Sequence, residues 1–187
     1  METARQKFDG GSDAGLDDAI RILRSLIGIT LLDTKESRLL LARSLMKKDR
    51  IDEAIAILQA IEGGGYPKLR AQALAAEAFL QKKQPALAAE LLSKVNFSDP
   101  QLSDDLRKEM KYLQAIAFEE QGMLPDAAEI LDELILHDIL YRDVKDRHAR
   151  LSHVKRRREA QIDCASCGKS NTSGARFCVH CGLPMSA

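Results

Sequence analysis

Between residues 16 and 134, small and large apolar residues recur in a fixed order with polar residues between them. Leu16-Asp-Asp-Ala19-Ile-Arg-Ile-Leu23-Arg-Ser-Leu26 matches Ile51-Asp-Glu-Ala54-Ile-Ala-Ile-Leu58-Gln-Ala-Ile61 almost position for position. Weaker copies follow at Pro85-Ala-Leu-Ala88-Ala-Glu-Leu-Leu92-Ser-Lys-Val95 and Leu124-Pro-Asp-Ala127-Ala-Glu-Ile-Leu131-Asp-Glu-Leu134, so the successive shifts are 35, 34 and 39 residues. Apolar positions three, four and seven apart define one face of a helix. Twelve residues before Ala54, Ala88 and Ala127 stand Ala42, Ala76 and Ala115, each followed three residues on by Leu45, Phe79 or Phe118. A small residue lets two helix axes approach and the large one fills the groove beside them. The pattern therefore predicts antiparallel helix hairpins: a lone helix at about 15–29, then hairpins at about 35–62, 68–95 and 103–137. The extra residues of the last shift fall in Asn96 to Asp105, a Pro- and Ser-containing stretch that reads as a lengthened loop.

A period near 34 with this Ala and Leu/Phe pattern resembles the tetratricopeptide repeat (TPR), and the resemblance covers about residues 16–137. Gly122, Pro67 and Pro100 stand where that family often places its turn Gly and inter-repeat Pro; Asp49 and Lys83 occupy the turn position in the first two hairpins, and no Trp is present. The fold class expected is all-α, a TPR-like α-solenoid of antiparallel helix hairpins with a small C-terminal module. In TPR proteins the first helix of each hairpin lines a concave face that binds peptides. Carried over residue by residue, that face comprises Glu36, Leu39, Arg43 and Lys47, then Arg70, Ala73, Glu77 and Leu80, then Glu109, Tyr112, Ile116 and Glu119. Its mixed lining, without Asn, does not match the carboxylate clamp of TPR cochaperones; an amphipathic segment with charges of both signs fits better.

Composition adds two constraints. The chain has 187 residues, 45% hydrophobic but only 4% aromatic, which suits close Ala/Leu/Ile helix packing rather than a sandwich or a large pocket. Its zero net charge hides an asymmetry: residues 141–187 carry ten basic against four acidic side chains, leaving the preceding part negative by the same six charges. Leu140, Val144, Leu151 and Val154 at helical spacing, opposite Arg142, Lys145, Arg147, Arg150 and Arg156 to Arg158, predict a basic amphipathic helix capping the array. His148 and His153, five apart, read as solvated helix residues rather than a metal pair.

All four cysteines lie in the tail, as Cys164-Ala-Ser-Cys167-Gly168 and Cys178-Val-His-Cys181-Gly182. Each Cys-x-x-Cys turn offers two thiolates, and two such turns complete a tetrahedron, the spacing of a structural zinc site. Gly168 and Gly182 permit the left-handed backbone these turns favour. Disulfides would need an oxidising compartment, a redox pair would open a helix in a βαβ setting, and iron in a rubredoxin-like role ranks behind zinc. The string from Cys164 through Asn171, Gly174, Arg176 and Phe177 to Pro184 resembles the short zinc ribbons at the ends of many bacterial and archaeal proteins. That likeness implies a fully coordinated structural ion held by Cys164, Cys167, Cys178 and Cys181, a short β hairpin, and Phe177 as the module's one large core side chain. His180 reads as an exposed loop residue.

These observations imply four segments: a flexible N-terminus (1–14), TPR-like repeats (15–139), a basic capping helix or linker (140–161) and a zinc ribbon (162–187). Gly63-Gly64-Gly65 lacks the strand, Lys and Ser/Thr of a phosphate loop, and no catalytic grouping stands out. The function expected is that of a noncatalytic adaptor for other proteins or peptides, with Leu39, Arg43, Lys47, Arg70, Glu77, Tyr112, Ile116 and Glu119 in the groove. The alternative is RNA or DNA contact through Lys155, Arg156, Arg157 and Arg158 together with the ribbon. A likeness in module order to bacterial envelope-assembly adaptors supports a recruiting role without specifying a pathway. No small-molecule substrate, signal peptide or membrane span is expected, and the cytoplasm is the expected location.

Overall fold

The computed structural model describes residues 1–27, 34–159, 161–172 and 175–185, the side chains of 152–159 and 161 excepted. These residues divide into two compact units, Met1–Gln121 and Gly122–Ala187. The first unit holds helices α1 (Glu2–Asp9), α2 (Asp13–Ile27), α3 (Lys35–Lys47), α4 (Ile51–Gln59), α5 (Tyr66–Gln81), α6 (Pro85–Ser93) and α7 (Asp104–Glu120). Each helix packs on the next in sequence, and α5 packs on both α3 and α7 as well. This skipping contact sets the first helices of successive hairpins side by side.

The repeating alanines are where the hairpins close. Ala19, Ala54 and Ala88 are fully buried, as are Ala42, Ala76 and Ala115, while Leu23, Leu45, Leu58 and Leu92 fill the space beside them. At such positions even one added methylene must displace backbone, which is why small residues recur there. The buried side chains form two clusters, one from α1 to α5 and one from α5 to α7, so α5 serves both.

Asp49 and Lys83, at the turn position where Gly was absent, adopt left-handed backbone with φ of 57° and 59°. Both turns are Schellman motifs. The Arg50 amide donates to the Leu45 carbonyl at 2.9 Å and the Asp49 amide to Met46 at 3.1 Å; Gln84 donates to Phe79 and Lys83 to Leu80, both at 2.9 Å. Thr34 and Ser37 form a reciprocal capping box at the start of α3. The connection from α6 to α7 is the lengthened loop expected, and it is knitted: the Arg107 guanidinium donates to the carbonyls of Phe97 and Leu102, each at 3.1 Å, while Leu102 is buried.

At the N-terminus the structure differs from the expected flexible segment 1–14. Residues Glu2–Asp9 form α1, which packs on α2 with Ala4 and Phe8 buried. Lys7 reaches Asp18 of α2 at 2.5 Å. The lone helix at about 15–29 thus has a short partner before it, and α1 with α2 makes a hairpin closed through Gly11 at φ 65°.

The second unit holds α8 (Leu124–His137), α9 (Val144–Glu159) and strands β1 (Gln161–Asp163) and β2 (Ser170–Thr172). Helices α8 and α9 pack together, burying Ala127, Ala128, Leu131 and Leu134 on one and Val144 and Leu151 on the other. Two expectations change here. Leu140 precedes α9 in a turn and is 85% exposed, because the Asp138 side chain accepts from its amide and holds the chain outside the helix. His148 is only partly exposed, with Nε2 2.5 Å from the Asp132 carboxylate on α8. The strands pair antiparallel, Gln161 with Thr172, Ile162 with Asn171 and Asp163 with Ser170.

Candidate metal centre and concave face

The two Cys-x-x-Cys turns are built on one plan. The Gly168 amide donates to the Cys164 carbonyl and the Gly182 amide to the Cys178 carbonyl, both at 2.8 Å. The Cys164 amide donates to Lys169 at 3.0 Å and that of Cys178 to Leu183 at 2.8 Å. Gly168 and Gly182 carry φ of 68° and 74°, left-handed in each turn. The likeness of the two sequence segments is therefore a likeness of shape.

The turns bring Cys164, Cys167, Cys178 and Cys181 together with all four sulfurs within 4.8 Å of one another. Across the turns, Cys164 Sγ lies 3.7 Å from Cys181 Sγ, and Cys167 Sγ lies 3.6 Å from Cys178 Sγ. A tetrahedral ion with metal–sulfur bonds of roughly 2.3 Å requires sulfur–sulfur edges of about 3.8 Å. The four cysteines are thus placed as a group that could hold a metal ion. Cys164 and Cys178 are buried, Cys167 and Cys181 exposed.

Local dipoles prepare this group for positive charge. The backbone amides of Cys167 and Ser166 lower the Cys164 thiol below its ordinary value of 9.0. Burial opposes ionisation of Cys178, yet the amides of Cys181 and His180 and the Asn171 carboxamide outweigh it and bring that thiol down to about 6. Four thiolates cannot crowd together unaided. The Leu183 amide favours the Cys181 thiolate, but burial and the neighbouring sulfurs of Cys178, Cys164 and Cys167 push it up to about 12. A divalent cation removes that conflict, since it lets all four ionise.

At the centre of the module lies a polar residue. Asn171 is 4% exposed; its amide donates to the Lys169 carbonyl at 2.7 Å and to Cys178 Sγ at 3.5 Å, and its oxygen accepts from the Val179 amide at 2.9 Å. It ties the first turn to the second. Phe177, expected as the core side chain, is instead 62% exposed and sits opposite Pro184 in a β bridge. Sulfurs carrying negative charge are stabilised by N–H donors, which Asn171 and the turn amides supply and a ring does not. The His180 ring is exposed, and its backbone amide lies 3.4 Å from Cys178 Sγ.

The concave-face residues fall into two sets. Glu36, Arg43 and Lys47 are exposed, and Leu39, Arg70, Glu77, Glu109, Ile116 and Glu119 are half-buried. Tyr112, Ala73 and Leu80 are buried, which corrects their assignment as open groove contacts: they form the wall where α5 packs on its neighbours. Arg70 on α5 pairs with Glu109 on α7, both largely shielded, and ties these helices together. The sequence reading missed the contribution of α1 to this region: Phe8 lies under Arg43 and Lys47. The side chains of Lys155, Arg156, Arg157 and Arg158 lie outside the described residues, although their backbone belongs to α9. No described helix is long and apolar enough to cross a membrane.

No family model matches the chain, and no curated protein is found similar to it. Among solved structures it is similar to two crystal structures from Podosopora anserina, of the nearly identical TPR-like repeats of a candidate kinesin light chain. One of them, a point variant, is 19% identical with a TM-score of 0.61, covering 84% of this chain and 85% of that one. The other is 18% identical, also with a TM-score of 0.61, covering 84% and 86%. At this identity the likeness establishes the fold. The protein has a TPR-like helical-repeat fold, with four clustered cysteines near its C-terminus.

Proposed function

We propose that this protein is a noncatalytic adaptor, in which the concave face of α3, α5 and α7 docks partner peptides and a zinc-stapled tail forms a second docking module. The observation that carries the reading is the pairing of a repeat array, a fold suited to protein–protein interaction, with a cluster of four thiols. Four-thiolate coordination has no open position for water or substrate, so the ion is structural. Zinc suits this soft donor set, and its binding supplies the tail's folding free energy, roughly 10–16 kcal/mol in comparable peptides. The chain works in a reducing compartment, the cytoplasm, where free thiols persist.

Metal analysis of the purified chain tests the tail: one zinc per chain is expected, and metal-free protein with an unchanged ribbon NMR spectrum would refute it. Affinity purification with Leu39→Glu/Ile116→Glu beside the wild type tests the face. Partners retained undiminished by the double variant would sink the groove reading.

A second reading, RNA or DNA contact through Lys155 to Arg158 and the ribbon, gains from the exposed Phe177. A largely exposed ring can stack a base, and Arg176, its neighbour in the chain, and Lys169 are exposed cations available for phosphate. Salt-dependent binding of a single-stranded oligonucleotide, lost in Phe177→Ala, would favour it; no binding at low salt would remove it.

A further inference from the structure

The two cysteines of each Cys-x-x-Cys turn differ in their access to solvent. Cys164 and Cys178, which open the turns, are buried, with 3% and 2% of their surface exposed, whereas Cys167 and Cys181, which close them, are exposed. The chain beside the exposed pair is open as well: Ser166, Gly168, His180 and Gly182 are all exposed. A small dissolved molecule therefore reaches two of the four sulfurs directly.

Close approaches between the turns each join an exposed sulfur to a buried one. Cys181 Sγ lies 3.7 Å from Cys164 Sγ, and Cys167 Sγ lies 3.6 Å from Cys178 Sγ. A disulfide needs about 2.05 Å between its sulfurs, so either pair closes by a movement of about 1.6 Å. Thiolate character and access together decide which cysteine an oxidant takes first. Metal coordination keeps all four sulfurs as thiolates, which leaves access to choose between them. A link between the turns also closes a longer loop than a link inside one turn, and so restrains the unfolded tail more.

We infer that the four cysteines form a peroxide-sensitive switch, in which oxidation at the exposed sulfurs releases the metal and joins the two turns covalently. The thiolate of Cys167 or Cys181 attacks hydrogen peroxide: an S–O bond forms, the O–O bond breaks, the sulfur is oxidised to a sulfenic acid and hydroxide leaves with the electron pair. The buried thiolate of the other turn then attacks that sulfur, so that the S–S bond forms, the S–O bond breaks and a second hydroxide leaves; water and buffer supply the protons that neutralise both. Two thiolates remain after the first disulfide, too few to keep the ion, and a second peroxide joins the other pair. An external monothiol reverses each link, two molecules of it becoming a disulfide as two cysteine thiols are restored. The inference rests on the tail being a zinc-stapled module, and it names how that staple is released.

Hydrogen peroxide titrated into the zinc-loaded full chain tests it, with a weak chromophoric indicator reading free zinc and mass spectrometry of unreduced peptides reading the links. The expected result is complete release by about two peroxides per chain, links Cys164 to Cys181 and Cys167 to Cys178, and recovery of zinc binding after reduction. Cys167→His/Cys181→His keeps four zinc-binding side chains but no exposed thiol, and its release should be at least about tenfold slower. Links confined within the turns, or release from the His variant as fast as from wild type, would overturn the switch; the wild-type links decide the matter where the variant does not load. Zinc held through excess peroxide would overturn the switch and leave the staple reading intact, whereas a chain that holds no zinc before peroxide is added would overturn both.

Discussion

Replacing Asn171 tests the inside of the tail more sharply than removing a cysteine, because it leaves every metal ligand in place. Asn171→Ala deletes a donor to the Lys169 carbonyl at 2.7 Å, an acceptor for the Val179 amide at 2.9 Å, and a longer N–H contact to Cys178 Sγ at 3.5 Å. Each neutral hydrogen bond contributes about 0.5–1.5 kcal/mol net, and groups left unpaired add desolvation cost. Water reaches Val179, which is 79% exposed, and thereby limits that cost. The sum is about 2–3 kcal/mol. Because the tail folds as the ion binds, the loss appears as metal affinity, about thirtyfold to a hundredfold at about 1.4 kcal/mol per decade. Asn171→Asp should do worse: it keeps the acceptor for Val179 but replaces the donor with negative charge beside the thiolates. Competition for zinc against a chromophoric chelator, using the full chain at fixed pH, reads both variants. An affinity within about threefold of wild type for Asn171→Ala, or an Asp variant no weaker than the Ala one, would refute the reasoning.

Four further outcomes are expected. Phe177→Ala should leave zinc affinity and stability unchanged to within about 0.5 kcal/mol, since the ring is 62% exposed; a loss above about 2 kcal/mol, measured by the same competition, would restore it to the core. Lys83→Gly should stabilise the first unit by about 0.5–1 kcal/mol in urea unfolding, as relief of a left-handed backbone at φ 59° exceeds the entropy cost of Gly, with a smaller gain for Asp49→Gly because Asp tolerates that conformation. Asp18, whose carboxyl is held below its ordinary 3.8 chiefly by the Lys7 hydrogen bond, then by Arg21, favours folding above pH 3.8, and that advantage disappears as pH falls through its lowered folded value. The stability difference between wild type and Asp18→Asn should therefore shrink in acid, and a difference constant from about pH 7 to 2.5 would contradict the pairing. A strong chelator should collapse ribbon NMR dispersion while far-UV circular dichroism stays nearly constant; parallel loss of both would tie the helices to the metal.

How far the sequence reached follows from the kind of interaction involved. Ala54 and Ala88 were legible because close helix packing tolerates nothing larger, so the constraint recurs in residue identity at every repeat. Helix α1 was not, since Lys7 stands where a small residue would signal a hairpin, and its attachment comes from Phe8 and an ion pair rather than from the repeat's own pattern. The four cysteines announced their grouping through spacing alone. Asn171 took the inner place that the likeness to short ribbons implied for Phe177, because the thiols need donors, and only the fold shows which side chain reaches them. Tyr112 failed for a related reason: helical spacing locates a face, but the closeness of neighbouring helices decides which of its residues meet solvent.

The inward Asn171 and outward Phe177 give the tail an unusual temperature response. Folding that removes apolar surface from water carries a large heat-capacity change, and its stability therefore curves with temperature and fades on cooling. A module whose buried side chains, among the described residues, are two thiols and a carboxamide removes little such surface. Calorimetry of zinc-coupled ordering should accordingly show a small heat-capacity change, and a tail that holds its shape in the cold about as firmly as in the warm, while the alanine- and leucine-packed helices follow the usual dome.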